Sequence, residues 1–299
     1  MQRALRGLIP WSRSTENLGE AYRPMYHLHV GFIERSKGRS AVACAAYRAG
    51  ENLYDDRCGL RHDYTARRGI LRSEILAPDN APTWVFRREE LWNHAEACEN
   101  RRDARIAREI ELSLPHEVPP AIRVEMVEQF IRQELLPLGM VVDYAIHAPN
   151  RKGDQRNYHA HLLTTLRPLE DDHFSRIKDR DSCRPEALCK WRESWAEIVN
   201  ETYERLQLRD DQGRLLTTDH RSYEDRGIDQ VPTQHMGPHA TELERQGIAT
   251  DIGDKNRDIR QSNIERQRLR RELTEIDREL EGYNRLRSQR RKQDWDRDR

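Results

Sequence analysis

Three histidines within fifteen residues, His147, His159 and His161, are the side chains of this 299-residue chain best suited to chemistry. His159 and His161 sit two apart in Tyr158-His159-Ala160-His161-Leu162-Leu163, which reads as a strand, so both imidazoles leave one face of a sheet. His147 closes an earlier apolar run from Met140 to Ile146 that also reads as a strand, and the polar, glycine-containing link 149–157 folds the two together. Three neutral imidazoles with open coordination positions are what a catalytic metal site needs, and a metal so held polarises a carbonyl or phosphoryl oxygen. A lone histidine is more often a surface or satisfied core residue, and with twelve in the chain chance spacings occur. A second H-x-H, His27-Leu28-His29, lies in another strand-like run. Spacing alone does not choose between the pairs.

The chain has no Gly-rich phosphate loop, no G-x-S-x-G and no H-E-x-x-H, so the attacking group must be sought elsewhere. Tyr47, near the end of an alanine-rich segment, is one candidate. A tyrosine, with an ordinary pKa near 10, needs a cation or base beside it to act as a nucleophile. The commoner fate of such a residue is an aromatic packed in the core. Glu109 and Glu111 point to one face of a single strand. On an exposed face they cost nothing; facing the histidines, they can orient an imidazole or accept the tyrosine proton.

The elements that must carry these residues follow from periodicity. A strand is expected over 26–33, then a helix over 41–48 capped by Ser40 and ended by Gly50. A polar, turn-rich stretch runs from Asp55 to Arg72. Helical spacing of Trp84, Leu91, Trp92, Ala95 and Cys98 predicts a helix over about 84–107. Period-two alternation predicts a strand over 108–114, stopped by Pro115, and further helices are expected over about 118–136 and 184–206. Antiparallel-capable strands with intervening helices give an α+β fold, helices packed on an antiparallel-type sheet. Beyond about 217 the chain becomes loop-rich, and from Asp254 it carries 15 basic and 11 acidic residues, a net of +4. Leu269, Leu273, Ile276, Leu280 and Tyr283 form a heptad seam of about two repeats on a charged C-terminal helix. So short a seam more often marks a packed or solvated helix than a dimer zipper.

Composition sets outer limits. Hydrophobic content of 36%, charged content of 35% and a mean hydropathy of −1.00 allow a core for part of the chain. No apolar run approaches a membrane span, and the N-terminal segment is too short in apolar residues for a signal peptide, so a cytoplasmic protein is expected. Five scattered cysteines without C-x-x-C spacing argue against disulfides and a zinc ribbon. The 52 basic residues balance 52 acidic ones, so global charge gives no support to nucleic-acid binding, although basic patches occur at 35–39 and 57–68.

Several segments, in order, resemble the MobA/MobL (MOBQ-type) plasmid mobilisation relaxases, a branch of the HUH endonucleases. They are M-Y-H-L-H-V from Met25, S-K-G-R-S-A-V-A-C-A-A-Y-R-A-G to Gly50, R-E-I-E-L-S-L-P over 108–115, and A-I-H-A-P-N followed by Y-H-A-H-L-L within 145–163. D-H-R-S-Y-E-D-R-G-I-D over 219–229 and P-T-Q-H-M-G-P over 232–238 complete the set. The resemblance covers about 25–250 as a relaxase domain, between a loosely ordered lead over 1–24 and a charged helical tail over 251–299. It implies that Tyr47 is the nicking tyrosine, that His147, His159 and His161 hold Mg²⁺ or Mn²⁺, and that Glu109 and Glu111 are the acidic pair beside the site. Relaxases place the tyrosine before the histidine pair, which singles out His159/His161 over His27/His29. Arg48, His220, Arg221 and His235 fall in family-matching segments and are candidates for DNA contacts, with plain loop structure as the alternative for the loop residues.

The implied activity is nicking of one strand at a plasmid transfer origin, leaving a 5′-phosphotyrosine and a free 3′-hydroxyl, with religation after conjugative transfer. Implied partners are single-stranded DNA at that origin, accessory mobilisation proteins and a type IV coupling and secretion system, in a bacterial cytoplasm from which the protein passes to the recipient attached to DNA. Tyr54, seven residues after Tyr47, is a possible second tyrosine, although Gly50 should break the helix between them. A rolling-circle replication initiator of the same superfamily is the alternative enzyme. A metal-stabilised DNA-binding protein without catalysis is the non-enzymatic alternative.

Overall fold

Parity along four strands decides where everything else goes. In the computed structural model, which describes residues 26–151 and 153–297, a five-stranded sheet is built from β1 (Leu28–Glu34), β4 (Ile70–Leu76), β5 (Arg105–Leu114), β6 (Val142–His147) and β7 (Tyr158–Thr165). Its order is β1-β5-β7-β6-β4, and every neighbouring pair is antiparallel. On one face Ile110, Leu112, Leu114, Val142, Tyr144, Ile146, Ala160 and Leu162 form an apolar layer. Helices α3 (Pro120–Phe130) and α4 (Pro185–Arg205) cover it with Met126, Val127, Phe130, Trp191, Trp195 and Val199. This is the α+β arrangement that the alternation of strands and helices implies.

The opposite face is divided. At one end Ile33, Ala107, Val141 and Leu163 pack under α1 (Ala41–Ala49) and α2 (Arg88–Ala97) through Ala41, Val42, Ala45, Ala46, Leu91 and Trp92. At the other end the same parity brings up His159, His161, Glu109 and Glu111. The helix α1 is capped as its sequence indicates: Ser40 Oγ accepts from the Ala43 amide at 3.2 Å, and Gly50 takes the left-handed conformation at φ 68° that stops the helix. Its run of alanines lets it lie close on the sheet. A hairpin of β2 (Asn52–Asp55) and β3 (Leu60–Asp63) then returns the chain to the end of α1.

Three stretches differ from the periodicity reading. The helix expected over 84–107 is only Arg88–Ala97, because the chain turns after it and buried Ile106 and Ala107 already belong to β5, which starts at Arg105. The turn-rich stretch ending near Arg72 contains the β2–β3 hairpin and the start of β4, an edge strand whose mixed alternation masks it. The helix expected over 118–136 is present as α3, but its end widens into a π-turn over Ile131–Leu135. The loose lead expected over 1–24 lies outside the described residues.

The chain divides into two compact units between His220 and Arg221. Within the second, α6 (Asp251–Arg297) is bonded to the loop before α5 (Gly237–Arg245): Asn256 exchanges amide hydrogen bonds with the Gln234 backbone, and Asn263 with that of Val231. The heptad seam of α6 is exposed, from 49% at Leu269 to 64% at Tyr283. No helix among the described residues is long and apolar enough to cross a membrane.

Candidate active site

β6 and β7 pair in a register that sets His147 directly opposite His159. His161 lies two residues along β7, so all three imidazoles rise from the same face. Their ring centroids are 5.4 Å (147–159), 5.0 Å (147–161) and 5.0 Å (159–161) apart, and one ring nitrogen of each falls within 4.8 Å of the others. That spacing is compatible with one ion shared among three imidazoles at about 2.0–2.1 Å each.

Each ring also has an oxygen partner that orients it. His147 Nε2 is 2.8 Å from the Arg48 carbonyl, and His159 Nδ1 is 3.0 Å from the Asn157 carbonyl. A carbonyl only accepts, so those nitrogens carry the hydrogens and the opposite nitrogens keep their lone pairs. His161 Nδ1 faces Glu109 Oε1 at 3.6 Å, close enough for ion pairing and too long for a hydrogen bond. His147 Nδ1 is buried with no hydrogen-bond partner. A buried ring nitrogen left in this way is a lone pair in need of an acceptor, and a divalent cation supplies one. The donor set therefore fits a metal. Burial pushes the His147 imidazolium down to about 4, against the opposing pull of the Arg48 carbonyl, and burial lowers His159 in the same direction. Both rings are thus neutral near pH 7, the form that binds metal.

Glu109 is the hub beside the trio. Arg48 Nη2 donates to its Oε1, and Arg39 Nη2 reaches its Oε2 at 3.3 Å. Burial alone would raise the Glu109 carboxyl, but His161 and Arg48 hold it well below the usual carboxylate range. Glu111 pairs across the sheet with His161 on β7 and with His29 on β1, placing both acids of the expected pair on the histidine face. His27 and His29 also reach that face, but from the edge strand, where they are exposed and stack on each other at 6.2 Å.

Tyr47 lies in the last turn of α1, 46% exposed, next to the residue whose carbonyl holds His147. Tyr64 packs edge-on against its ring at 5.3 Å, and the Arg67 guanidinium lies over the ring at 3.7 Å. Arg67 is also one of the charges that lower His147 and His159, after burial. Tyr54, the other tyrosine considered, sits on β2 beyond the Gly50 break, with Arg61 over its ring. Arg48, expected among the DNA-contacting residues, is buried with its guanidinium on Glu109. His220 ends the first unit in a loop, and Arg221 and His235 are exposed in loops of the second. Sequence reasoning passed over Arg67 and Tyr64; the only signal was their place in a basic, turn-rich stretch.

A second group able to hold an ion, Asp55, Cys58 and His62, lies in the β2–β3 hairpin. Its carboxylate is already engaged: Ser40 Oγ donates to Oδ2 at 2.5 Å, and the Arg57 and Cys58 amides donate to Oδ1. It pins the hairpin to the start of α1.

Known proteins resemble this chain over most of its length. The pattern of the MobA/MobL family matches residues 39–246. A protein named mobilization protein MobL from Acidithiobacillus ferridurans is 32% identical over 286 residues, covering 83% of this chain and 69% of that protein. A conjugal transfer protein TraA from Rhizobium radiobacter is 33% identical over 243 residues, spanning 73% of this chain but only 22% of its own length. Among solved structures, one described as "Molecular Basis of Vancomycin Resistance Transfer in Staphylococcus aureus" is 32% identical with a TM-score of 0.58, covering 67% of this chain and all of that one. With the match extending over most of the chain and over both strands of the histidine trio, this protein belongs to the MobA/MobL family.

Proposed function

We propose that the chain is a relaxase that nicks one DNA strand at a plasmid transfer origin and later reseals it. The observation that carries this reading is the hydrogen bond from His147 to the Arg48 carbonyl. It fastens a three-imidazole cluster to the turn of helix that bears an exposed tyrosine. His147, His159 and His161 would hold the ion, and a divalent cation there would draw charge off a non-bridging oxygen of the scissile phosphate. An all-imidazole set suits a transition ion such as Mn²⁺ better than Mg²⁺, because imidazole is the softer donor.

Tyr47 oxygen attacks phosphorus in line. The bond from phosphorus to the 3′-oxygen breaks, the phenol proton leaves and the 3′-oxygen takes one up, so the exchange is balanced and leaves a 5′-phosphotyrosine. No water is consumed, and the free 3′-hydroxyl can therefore reverse the step. Glu109, held by Arg48 and Arg39, orients His161. Glu111, which has no ion-pair partner among the described residues, is the carboxylate better placed to accept a proton. An unpaired substrate is required for access, which makes single-stranded origin DNA the partner. Accessory mobilisation proteins and a transfer apparatus follow from the same reading, with a relaxase domain over 25–250 and the 251–299 helix as a charged appendage.

The test is incubation of the chain with single-stranded oligonucleotides spanning a transfer origin and Mn²⁺, followed by a denaturing gel. A covalent protein–DNA band is expected, and Tyr47→Phe should abolish it while leaving DNA affinity within a few-fold. An adduct at the normal level in Tyr47→Phe would move the nucleophile to Tyr54 or another tyrosine.

A further inference from the structure

Arg67 is a cation without a counter-ion in a place where one is needed. Its guanidinium lies 3.7 Å from the centre of the Tyr47 ring, it is half-buried, and its charge acts on His147 and His159. Its Nε is buried and makes no hydrogen bond, and no carboxylate pairs with it among the described residues. By contrast the other arginines beside the site, Arg39 and Arg48, are both taken up by Glu109. A cation over a ring face makes no hydrogen bond with it, so the Nη N–H groups of the guanidinium remain available. Desolvating such a group without an anion is unfavourable, and a planar fork of donors matches phosphate oxygens.

The hairpin explains how Arg67 comes to be there. β2 and β3 carry the chain away from the end of α1 and back, the Tyr64 amide bonds the Glu51 carbonyl at 3.1 Å, and the Arg67 amide bonds the Tyr64 carbonyl at 2.9 Å. Tyr64 and Arg67 therefore meet Tyr47 from two sides. The rest of that ring is open to solvent.

We infer that Arg67 binds the phosphodiester that Tyr47 attacks, holding its non-bridging oxygens before the exchange and those of the phosphotyrosine after it. This deepens the relaxase reading and rests on it. The ligand class is a phosphodiester of single-stranded DNA. The same contact supplies the positive charge that a tyrosine nucleophile requires. No bond to Arg67 forms or breaks.

The test uses the full chain after the nick position has been mapped by the covalent-adduct assay. In a Tyr47→Phe background, with chelator present so that only protein groups sense the phosphate, binding is measured to two oligonucleotides. One carries the natural phosphodiester at the nick, the other a single neutral methylphosphonate there. With Arg67 present, neutralising that phosphate should weaken binding by about tenfold or more, as expected for loss of a charge-assisted contact. In Arg67→Gln the natural oligonucleotide should bind that much more weakly and the methylphosphonate should cause no further loss, while Arg67→Lys retains most of the difference. Mn²⁺ binding by calorimetry should persist in Arg67→Gln. The inference is overturned if Arg67→Gln keeps the full methylphosphonate penalty, or if it loses Mn²⁺ binding in parallel with DNA binding, which would mark a structural role. A wild-type chain that forms no adduct on any origin strand would overturn the relaxase reading and this inference together; an adduct with an unchanged penalty indicts Arg67 alone.

Discussion

Two H-x-H pairs of identical spacing meet opposite fates in this molecule. His29 lies on β1, an edge strand with one neighbour, His27 lies just before it, and the two rings stack on each other in the open. His159 and His161 lie on β7, between β5 and β6, so each has a strand on both sides from which partners can reach it. β6 contributes His147 and β5 contributes Glu109. A metal-binding geometry needs side chains from different strands to converge, and only an interior strand provides that. Identical motif spacing thus gives a converged cluster only where the sheet supplies a neighbour on each side.

The sharpest test of this contrast removes the histidines pair by pair. His159→Ala or His161→Ala should each lower Mn²⁺ affinity by more than the roughly 10–100-fold that loss of a ligand's supporting partner causes, and nicking should fall with it. His27→Ala with His29→Ala should leave calorimetric Mn²⁺ affinity within about threefold, since an edge pair without a third donor contributes little to an ion held elsewhere. Equal losses in the two sets would erase the distinction between edge and interior strand.

A smaller effect is expected one layer out. Glu109→Gln removes the charge that faces His161 and leaves the buried Arg48 guanidinium without its carboxylate. Mn²⁺ affinity should drop by about 10–100-fold, with a loss of stability of about 1–3 kcal/mol in chemical denaturation. Glu111→Gln should do less to both, and the reverse ranking would show that the outer acid supports the site.

The effect that reads the trio without metal, and that appears only in acid, is on stability. His147 titrates near 4 in the fold and near 6.5 unfolded, so between these values the unfolded chain binds the extra proton. Stability of the metal-free protein should therefore fall as pH drops from about 6.5 to 4, by up to about 3 kcal/mol from this residue, with His159 acting in the same direction. Glu109, depressed in the fold, contributes stability above the ordinary carboxylate range that is lost only at lower pH. His147→Gln should flatten the upper part of the acid limb in thermal melts, whereas His27→Gln should not. A limb unchanged by His147→Gln would place the buried proton deficit on another group.

Much of the site was legible before any coordinates. Period-two alternation identifies β5, apolar runs identify β6 and β7, and parity pairs Glu109 with Glu111 and His159 with His161; that the two pairs share a face is decided by the β5–β7 register, which the sequence leaves open. The Ser40 cap and Gly50 stop delimit α1 to within a residue. Legibility ends where contacts are made in space by irregular chain. Arg67 and Tyr64 belong to a polar stretch with no period, and only the closure of the β2–β3 hairpin brings them to Tyr47. Helical spacing of Trp84, Leu91 and Ala95 overran the true helix because the charged residues after Cys98 fit a helix face as well as a turn. Buried Ile106 and Ala107 belong to the next strand, and their burial cannot be read from composition. The seam on α6 was visible, but its exposure was not, and neither were the bonds of Asn256 and Asn263 that tie the start of the helix to the preceding loop.

The hydrogen bond between His147 and the Arg48 carbonyl makes the last turn of α1 a reporter of what happens on the sheet. When the lone pair on His147 Nδ1 is drawn toward a cation, the proton on Nε2 becomes a stronger donor and grips that carbonyl harder. The Glu51 amide bonds the Ala46 carbonyl at 3.0 Å and Gly50 closes the helix, so the grip is exerted on a turn already tied at its end. Backbone amides over 45–51 should then exchange with deuterated solvent more slowly once Mn²⁺ is added, while amides near His29 exchange as before. The strand of ligands and the helix of the nucleophile would breathe as one unit, tightening when the site is loaded and loosening when it is emptied.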